Sequence, residues 1–125
     1  MPSAASPIVI LAGARTPMGR FQGGLSPLTA TDLGAAAISG ALDRATMSGA
    51  DVDFAYLGNV VAAGTGQVPA RRAAADAGIP LTVPSTLLNR ACLSGMHAVH
   101  LASQMIRLGE ADTVVAGGME SMTNA

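Results

Sequence analysis

A chain of 125 residues is one domain's worth, long enough to bury about two thirds of the surface its unfolded form exposes. Apolar residues make up 50% of it and aromatics only 2%, so a core must be built from Ala, Val, Leu, Ile and Met on closely apposed elements; with 12% charged residues and a mean hydropathy of +0.43, part of the surface expects a partner. The net charge of −1 and the scatter of the seven basic residues, of which only Arg71 and Arg72 adjoin, exclude a basic stripe for nucleic acid.

Met1 to Pro7 carry no basic side chain, and the apolar stretch from Ile8 to Ala14 is soon followed by Arg15. Neither a secretory signal nor a membrane span, which needs about 20 apolar residues, is therefore expected. A single cysteine, Cys92, excludes an internal disulfide and a multi-thiolate metal site, and a reducing cytoplasm is the expected compartment.

Ile8-Val9-Ile10-Leu11-Ala12 is a continuous apolar run ending at Gly13, which predicts a strand buried on both faces. Ala14 to Leu28, with two prolines and three glycines, is an irregular connection. Thr29 can cap a helix, with Asp32 three residues on, and Leu33, Ala36, Ala37, Gly40 and Ala41 share a face that should run to about Met47. Phe54 to Ala62 predicts a second strand. Pro69 suits the first turn of a helix over Ala70 to Ala77, closed by Gly78 and Pro80.

Thr86 to Asn89 is a short strand, Cys92 stands at its end, and Leu93 to Leu108 reads as a mostly buried helix stopped by Gly109. Thr113 to Ala116 is another strand buried on both faces, ended by Gly117 and Gly118. The alternation β-α-β-α-β-α-β predicts an α/β fold with a mostly parallel sheet and helical crossovers.

In such folds reactive groups sit beyond the carboxyl ends of strands, where Cys92 falls on a strand-to-helix turn that resembles a nucleophile elbow. The following helix directs its first amides and the positive end of its dipole toward the sulfur, favouring thiolate, and those amides suit the oxyanion formed when a thioester carbonyl is attacked. Gly95 lets another backbone or a ligand come close, and Ser94 offers a hydroxyl nearby. The competing reading is a buried structural thiol. His97 and His100 share the helix with Cys92 but lie roughly 7 and 12 Å further along its axis, so they are expected to be packing or surface residues, and the general base is not found in the chain.

Asp51, Asp53, Glu110 and Asp112 are expected in solvated loops. Gly13, Gly19, Gly23 and Gly24 do not form a dinucleotide fingerprint, and Gly64-Thr65-Gly66 lacks the lysine of a phosphate loop. Arg71 and Arg72 fit an ion pair or interface contact better than a phosphate site. No metal site is expected, and no residues are singled out for cofactor binding.

The run Asn89-Arg90-Ala91-Cys92-Leu93-Ser94-Gly95-Met96 resembles the acyl-cysteine motif of thiolases. Ala14-Arg15-Thr16-Pro17 with Gly19 and Phe21 is similar to the thiolase opening; Gly58-Asn59-Val60 with Gly64, Gly66-Gln67 and Pro69-Ala70-Arg71 to a second signature; and Ala111-Asp112 through Ala116-Gly117-Gly118-Met119-Glu120-Ser121-Met122 to a third. On this resemblance residues 1–125 are the amino-terminal portion of a thiolase.

The resemblance implies a ping-pong acyl transfer of lipid metabolism. A cysteine takes an acyl group from one acyl-CoA and a carbanion from a second attacks the thioester, or a 3-ketoacyl-CoA is cleaved in reverse. Cys92 takes the place of the acylated cysteine, with its backbone amide as one oxyanion donor. Coenzyme A thioesters are the substrates, no cofactor is tightly held, and a homo-oligomer, dimer or tetramer, is implied, with Gln67 to Arg71 and the strand near Thr113 in the half that builds the dimer interface. The later part of a thiolase supplies an activating histidine, an asparagine, a second cysteine, a CoA-holding loop domain and a glycine amide of the oxyanion hole. None is found in these 125 residues, so the chain is expected to be inactive alone. A non-catalytic module for dimerisation or binding is the alternative; a decarboxylating ketoacyl synthase fits the Gly117 to Met122 run less well.

Overall fold

The computed structural model describes residues 6–125. Three strands, β1 (Phe54–Gly58), β2 (Ser85–Leu88) and β3 (Val114–Gly118), form one parallel sheet in the order β2-β1-β3. Ala55 pairs with Ser85 on one side of β1, and Phe54 with Val114 on the other. Parallel neighbours need long crossovers, which here are α2 (Pro69–Asp76) between β1 and β2 and α3 (Ser94–Arg107) between β2 and β3. The α/β class and the parallel sheet are as the alternation predicts.

Side chains alternate across a strand, and this sorts the helices onto the two faces. Ala55 and Leu57 of the central strand are buried with Ala70, Ala73 and Ala74 of α2 and Ile38 and Leu42 of α1 (Ala30–Ala45). Gly58 points the other way, against Ser94 at the start of α3. The aromatic-poor composition is legible here: alanines of α2 are fully covered, so the helix lies close on the sheet.

Local chemistry sets the helix ends. Thr29 Oγ1 accepts from the Asp32 amide at 3.2 Å and the Asp32 carboxylate accepts from the Thr29 amide at 2.8 Å, a reciprocal cap. The helix stops at Thr46, which adopts a left-handed conformation with φ 55°, close to the end expected at Met47. Pro69 occupies the first turn of α2, and Gly78 closes it at φ 91°.

Four expectations are corrected, the first being that β3, expected to be buried on both faces, is only half-buried. Ile8 to Ala12 form no strand: Val9, Ile10 and Leu11 are 65%, 82% and 62% exposed, with nothing paired to their backbone among the described residues. A continuous apolar run reports avoidance of water and does not say what covers it, so the order is α-β-α-β-α-β with three strands. The segment is anchored where Arg44 Nη1 donates to the Gly13 carbonyl at 2.6 Å. β1 ends at Gly58 rather than Ala62, because the next residue, Asn59, turns its side chain to the end of β3. α3 is not mostly buried: Ser94, Ala98 and Ala102 pack inward, while Met96 and Leu108 are 72% and 73% exposed.

Asp53 joins the amino ends of β1 and β3. Its amide donates to the Thr113 carbonyl at 2.9 Å, and its carboxylate accepts from the Thr113 and Asp112 amides at 3.0 and 2.9 Å. The Thr113 bond and then the Asp112 bond hold its carboxyl below the ordinary value of 3.8. A depressed folded value means that this stabilisation is complete above the unfolded pKa and is lost as pH falls through the folded one. Asp53→Asn, compared with the parent by thermal unfolding from neutral pH to below pH 3.8, should therefore decline less steeply on the acid side. An identical acid limb would show that the contact carries no linkage.

The contact of α3 with β1 leaves no room at Gly58, where an added Cβ would lie 2.6 Å from Ser94 Cβ and 2.9 Å from the Ser94 carbonyl carbon. Gly58→Ala should lower stability by about 1–3 kcal/mol in urea unfolding, the usual consequence of overpacking. An unchanged midpoint would mean that α3 moves freely against the sheet.

Candidate active site

Between the end of β2 at Leu88 and the start of α3 at Ser94 the chain makes one tight turn. The Leu93 amide donates to the Arg90 carbonyl and the Ser94 amide to the Ala91 carbonyl, each at 3.1 Å. Ala91 lies at φ 49°, a left-handed conformation that costs an L-residue about 1–2 kcal/mol and persists only where its surroundings impose it.

Two side chains impose it. Ser94 is buried, and its Oγ accepts from the Arg90 amide at 2.8 Å while donating to the Ala91 carbonyl at 2.6 Å. Asn89 Oδ1 accepts from the Ala91 amide at 3.0 Å, and Asn89 Nδ2 donates to the Val60 carbonyl at 3.0 Å. The hydroxyl that the sequence places near Cys92 is thus engaged by the backbone on both its donor and acceptor sides.

The turn leaves Cys92 exposed, which removes the reading of a buried structural thiol. Its sulfur has no hydrogen-bond partner among the described residues, whereas the Gly95 and Met96 amides in the first turn of α3 donate to no carbonyl there. Such amides, with the helix dipole behind them, suit an anion or a developing oxyanion. The close approach expected at Gly95 does not depend on its lacking a side chain, since a Cβ there would meet nothing within 4 Å; the strand side faces it through Gly118, whose added Cβ would lie 3.7 Å from Gly95 Cα. Neither histidine hydrogen-bonds Cys92: His97 Nδ1 lies 3.3 Å from Arg90 Nη1, and its ring 6.0 Å from that of His100.

Asp51, Asp53, Glu110 and Asp112 are exposed, as the sequence suggests; in addition Asp51 caps the short turn Gly49–Asp51 by accepting from the Ser48 amide, and Asp53 accepts from the Thr113 amide. Arg72 pairs with Asp76 at 2.7 Å, the helix ion pair expected for it, and Arg71 donates to the Leu81 carbonyl. Two depressions of about 350 and 310 Å³ border Glu120–Thr123 and the start of α1, and Cys92 lines neither.

What sequence reasoning missed is the polar joint beneath the turn. Asn59, 1% exposed, donates from Nδ2 to the Met119 carbonyl at 3.1 Å and to Glu120 Oε1 at 2.8 Å. Backbone bonds Asn59 to Leu88 and Met119 to Gly58 stitch the carboxyl ends of the strands together at the same level. Spacings of about 30 and 60 residues leave no local pattern; the one signal is that Asn59 and Glu120 each stand just past a strand that ends in glycine.

Residues 8–125 match the family model described as the thiolase amino-terminal domain. The chain belongs to the thiolase family. Among curated thiolase relatives it is 52% identical over 117 residues to a probable acetyl-CoA acetyltransferase of Mycobacterium tuberculosis, 49% identical over 117 residues to the mitochondrial acetyl-CoA acetyltransferase of Homo sapiens, and 51% identical over 118 residues to a cytosolic one of Gibberella zeae. Each comparison covers 94% of this chain and 27–30% of the relative, so the chain spans less than a third of their length. The Asn89–Met96 run that resembles the thiolase acyl-cysteine motif is the segment that forms the turn and opens α3. Among the described residues no helix is long and apolar enough to cross a membrane, and no cluster of three or more His, Cys, Asp or Glu could hold a metal.

The Ser94 hydroxyl is buried, so losing it leaves the Arg90 amide without its acceptor and the Ala91 carbonyl without its donor. Ser94→Ala should cost about 1–3 kcal/mol in urea unfolding and raise hydrogen exchange at Arg90. A loss within a few tenths of a kcal/mol would show that the turn holds its shape without Ser94.

Proposed function

We propose that this chain presents the acyl-accepting nucleophile of a thiolase-type acyltransferase, with acetyl-CoA as the acyl donor. The observation that carries the proposal is the exposed Cys92 on a turn pinned from both sides, immediately before a helix whose first amides are free. The names of the relatives support the acetyl group.

In this reading the Cys92 thiolate attacks the carbonyl carbon of an acyl-CoA thioester. The tetrahedral oxyanion is met by the Cys92 amide, and collapse expels the CoA thiolate, which takes up a proton and leaves an S-acyl cysteine. The carbanion formed when a base removes the α-proton of a second acyl-CoA then attacks the S-acyl carbon. A carbon–carbon bond forms, the Cys92 thiolate departs, and the product is a 3-ketoacyl-CoA; thiolytic cleavage is the same path reversed.

His97 is turned to Arg90, so the base that serves Cys92 is supplied by residues other than these histidines, and the 125-residue chain alone is a positioned but unassisted nucleophile. The exposed apolar residues Val9, Ile10, Leu11, Met96 and Leu108 support a homo-oligomeric or otherwise covered assembly, and equally support the alternative of a non-catalytic binding module. The relatives include proteins described as mitochondrial and as cytosolic, and a reducing, cytoplasmic compartment is the reading supported by the single unpaired cysteine.

Incubated with radiolabelled acetyl-CoA, the protein should retain hydroxylamine-labile label on the peptide that contains Cys92, and Cys92→Ala should retain none. Label persisting in Cys92→Ala would overturn the assignment. In the same experiment the 125-residue chain should release no more than one equivalent of CoA, and repeated turnover would place a base within it.

A further inference from the structure

We propose that Glu120 is a positioning residue for Cys92, acting through a hydrogen-bonded relay that crosses three strand ends. The inference rests on the reading of Cys92 as the nucleophile.

Glu120 Oε1 accepts from Asn59 Nδ2 at 2.8 Å and from the Val61 amide at 3.1 Å, and Oε2 accepts from the Val60 amide at 2.9 Å. Three donors thus converge on the two oxygens of one side chain, which anchors the strand ends at a single point. Both of its oxygens are engaged by the protein.

The relay follows from which atoms share a peptide group. The Val61 N–H and the Val60 C=O belong to one planar unit, so the bond from Val61 to Glu120 orients the carbonyl at its other edge. That carbonyl accepts from Asn89 Nδ2 at 3.0 Å, and the Oδ1 of the same side chain accepts from the Ala91 amide at 3.0 Å. Glu120, the Val60–Val61 peptide, Asn89 and Ala91 thus form one chain of bonds, each polarising the next. It ends on the left-handed residue preceding Cys92, the point of the turn that most needs an external restraint. Asn59 braces the other side of the carboxylate, itself tied to the Met119 carbonyl.

Cys92 is already exposed, so loosening this relay gives a reagent no extra access. In this proposal it instead frees the Ala91–Cys92 backbone from which the thiol projects at the start of α3, so that the thiol is held less often in one position and reactivity falls. The test is the rate of alkylation of Cys92, the single cysteine of the chain, by iodoacetamide at fixed pH, read beside hydrogen exchange at Ala91 and the melting temperature. Glu120→Ala should slow alkylation on the order of threefold to tenfold and raise exchange at Ala91.

Glu120→Gln keeps an acceptor for Asn59 and Val61, losing only the Val60 bond, and should restore the parent rate, which a role confined to stability would not require. Asn89→Ala should slow alkylation to the same degree, and Glu120→Ala should add nothing to it. The proposal is overturned if Glu120→Ala alkylates at the parent rate, if Glu120→Gln is as slow as Glu120→Ala, or if the effects at Glu120 and Asn89 multiply. Should Glu120→Ala fail to fold, a parent rate in Asn89→Ala alone refutes the relay. Alkylation needs no acetyl-CoA, so failure of acyl labelling would remove the proposed function and leave this result standing, and the reverse holds equally.

Discussion

The whole site depends on how closely the first turn of α3 rests on the carboxyl ends of β1 and β3. Gly58 faces Ser94 with no space for a Cβ, and Gly118 faces Gly95. Removing side chains at the strand ends brings the helix axis down until Ser94 is buried, and a buried hydroxyl must find partners. It finds them in the Arg90 amide and the Ala91 carbonyl, and the turn between strand and helix becomes the only route left to the chain. The exposure of Cys92 is therefore a result of packing several residues away. The thiol is displayed because everything on either side of it is fastened inward.

A second layer of restraint is polar. Parallel strands present their carboxyl ends together on one edge of the sheet, and at that edge ladder bonding runs out. Here Asn59, Asn89 and Glu120 take over from the ladder, satisfying amides and carbonyls that would otherwise face one another without partners. One acceptor, Asn59 Oδ1, is left buried without a donor, a cost the joint tolerates for the sake of its two donor bonds. Lone-pair arithmetic explains the choice of residue types: one acceptor-only carboxylate can gather three donors, and an amide side chain can face a carbonyl with one end and an N–H with the other.

Much of this fold is legible in the sequence because its signals are local. The Thr29–Asp32 cap, Pro69 and Gly78 bracket α1 and α2 to within a residue or two, and the β-forming runs at 54, 86 and 113 are strands, though their ends are misjudged and β3 is half-buried where burial on both faces is expected. Cys92 is found at the strand-to-helix turn where the spacing puts it. What escapes is information that lives between elements. The apolar run at Ile8 is as strongly patterned as β3, yet pattern records only which side chains avoid water, and the outer side of α3 is misjudged for the same reason. The Glu120 joint escapes because its members are brought together by strand register, which a single sequence does not encode at any fixed spacing.

The register of the sheet also has a consequence in time. β1 lies at the centre, and its partner β3 is the last strand of the chain, so the pairing of Phe54 with Val114 closes a long loop, an entropically slow event compared with forming a helix or a turn. During synthesis from the amino terminus, Cys92 emerges before Val114 and Glu120 are available to complete the edge beneath it. Assembly order thus separates the appearance of the sulfur from the appearance of the scaffold beneath it, and the nascent chain passes through an interval in which the turn that carries the thiol has no support.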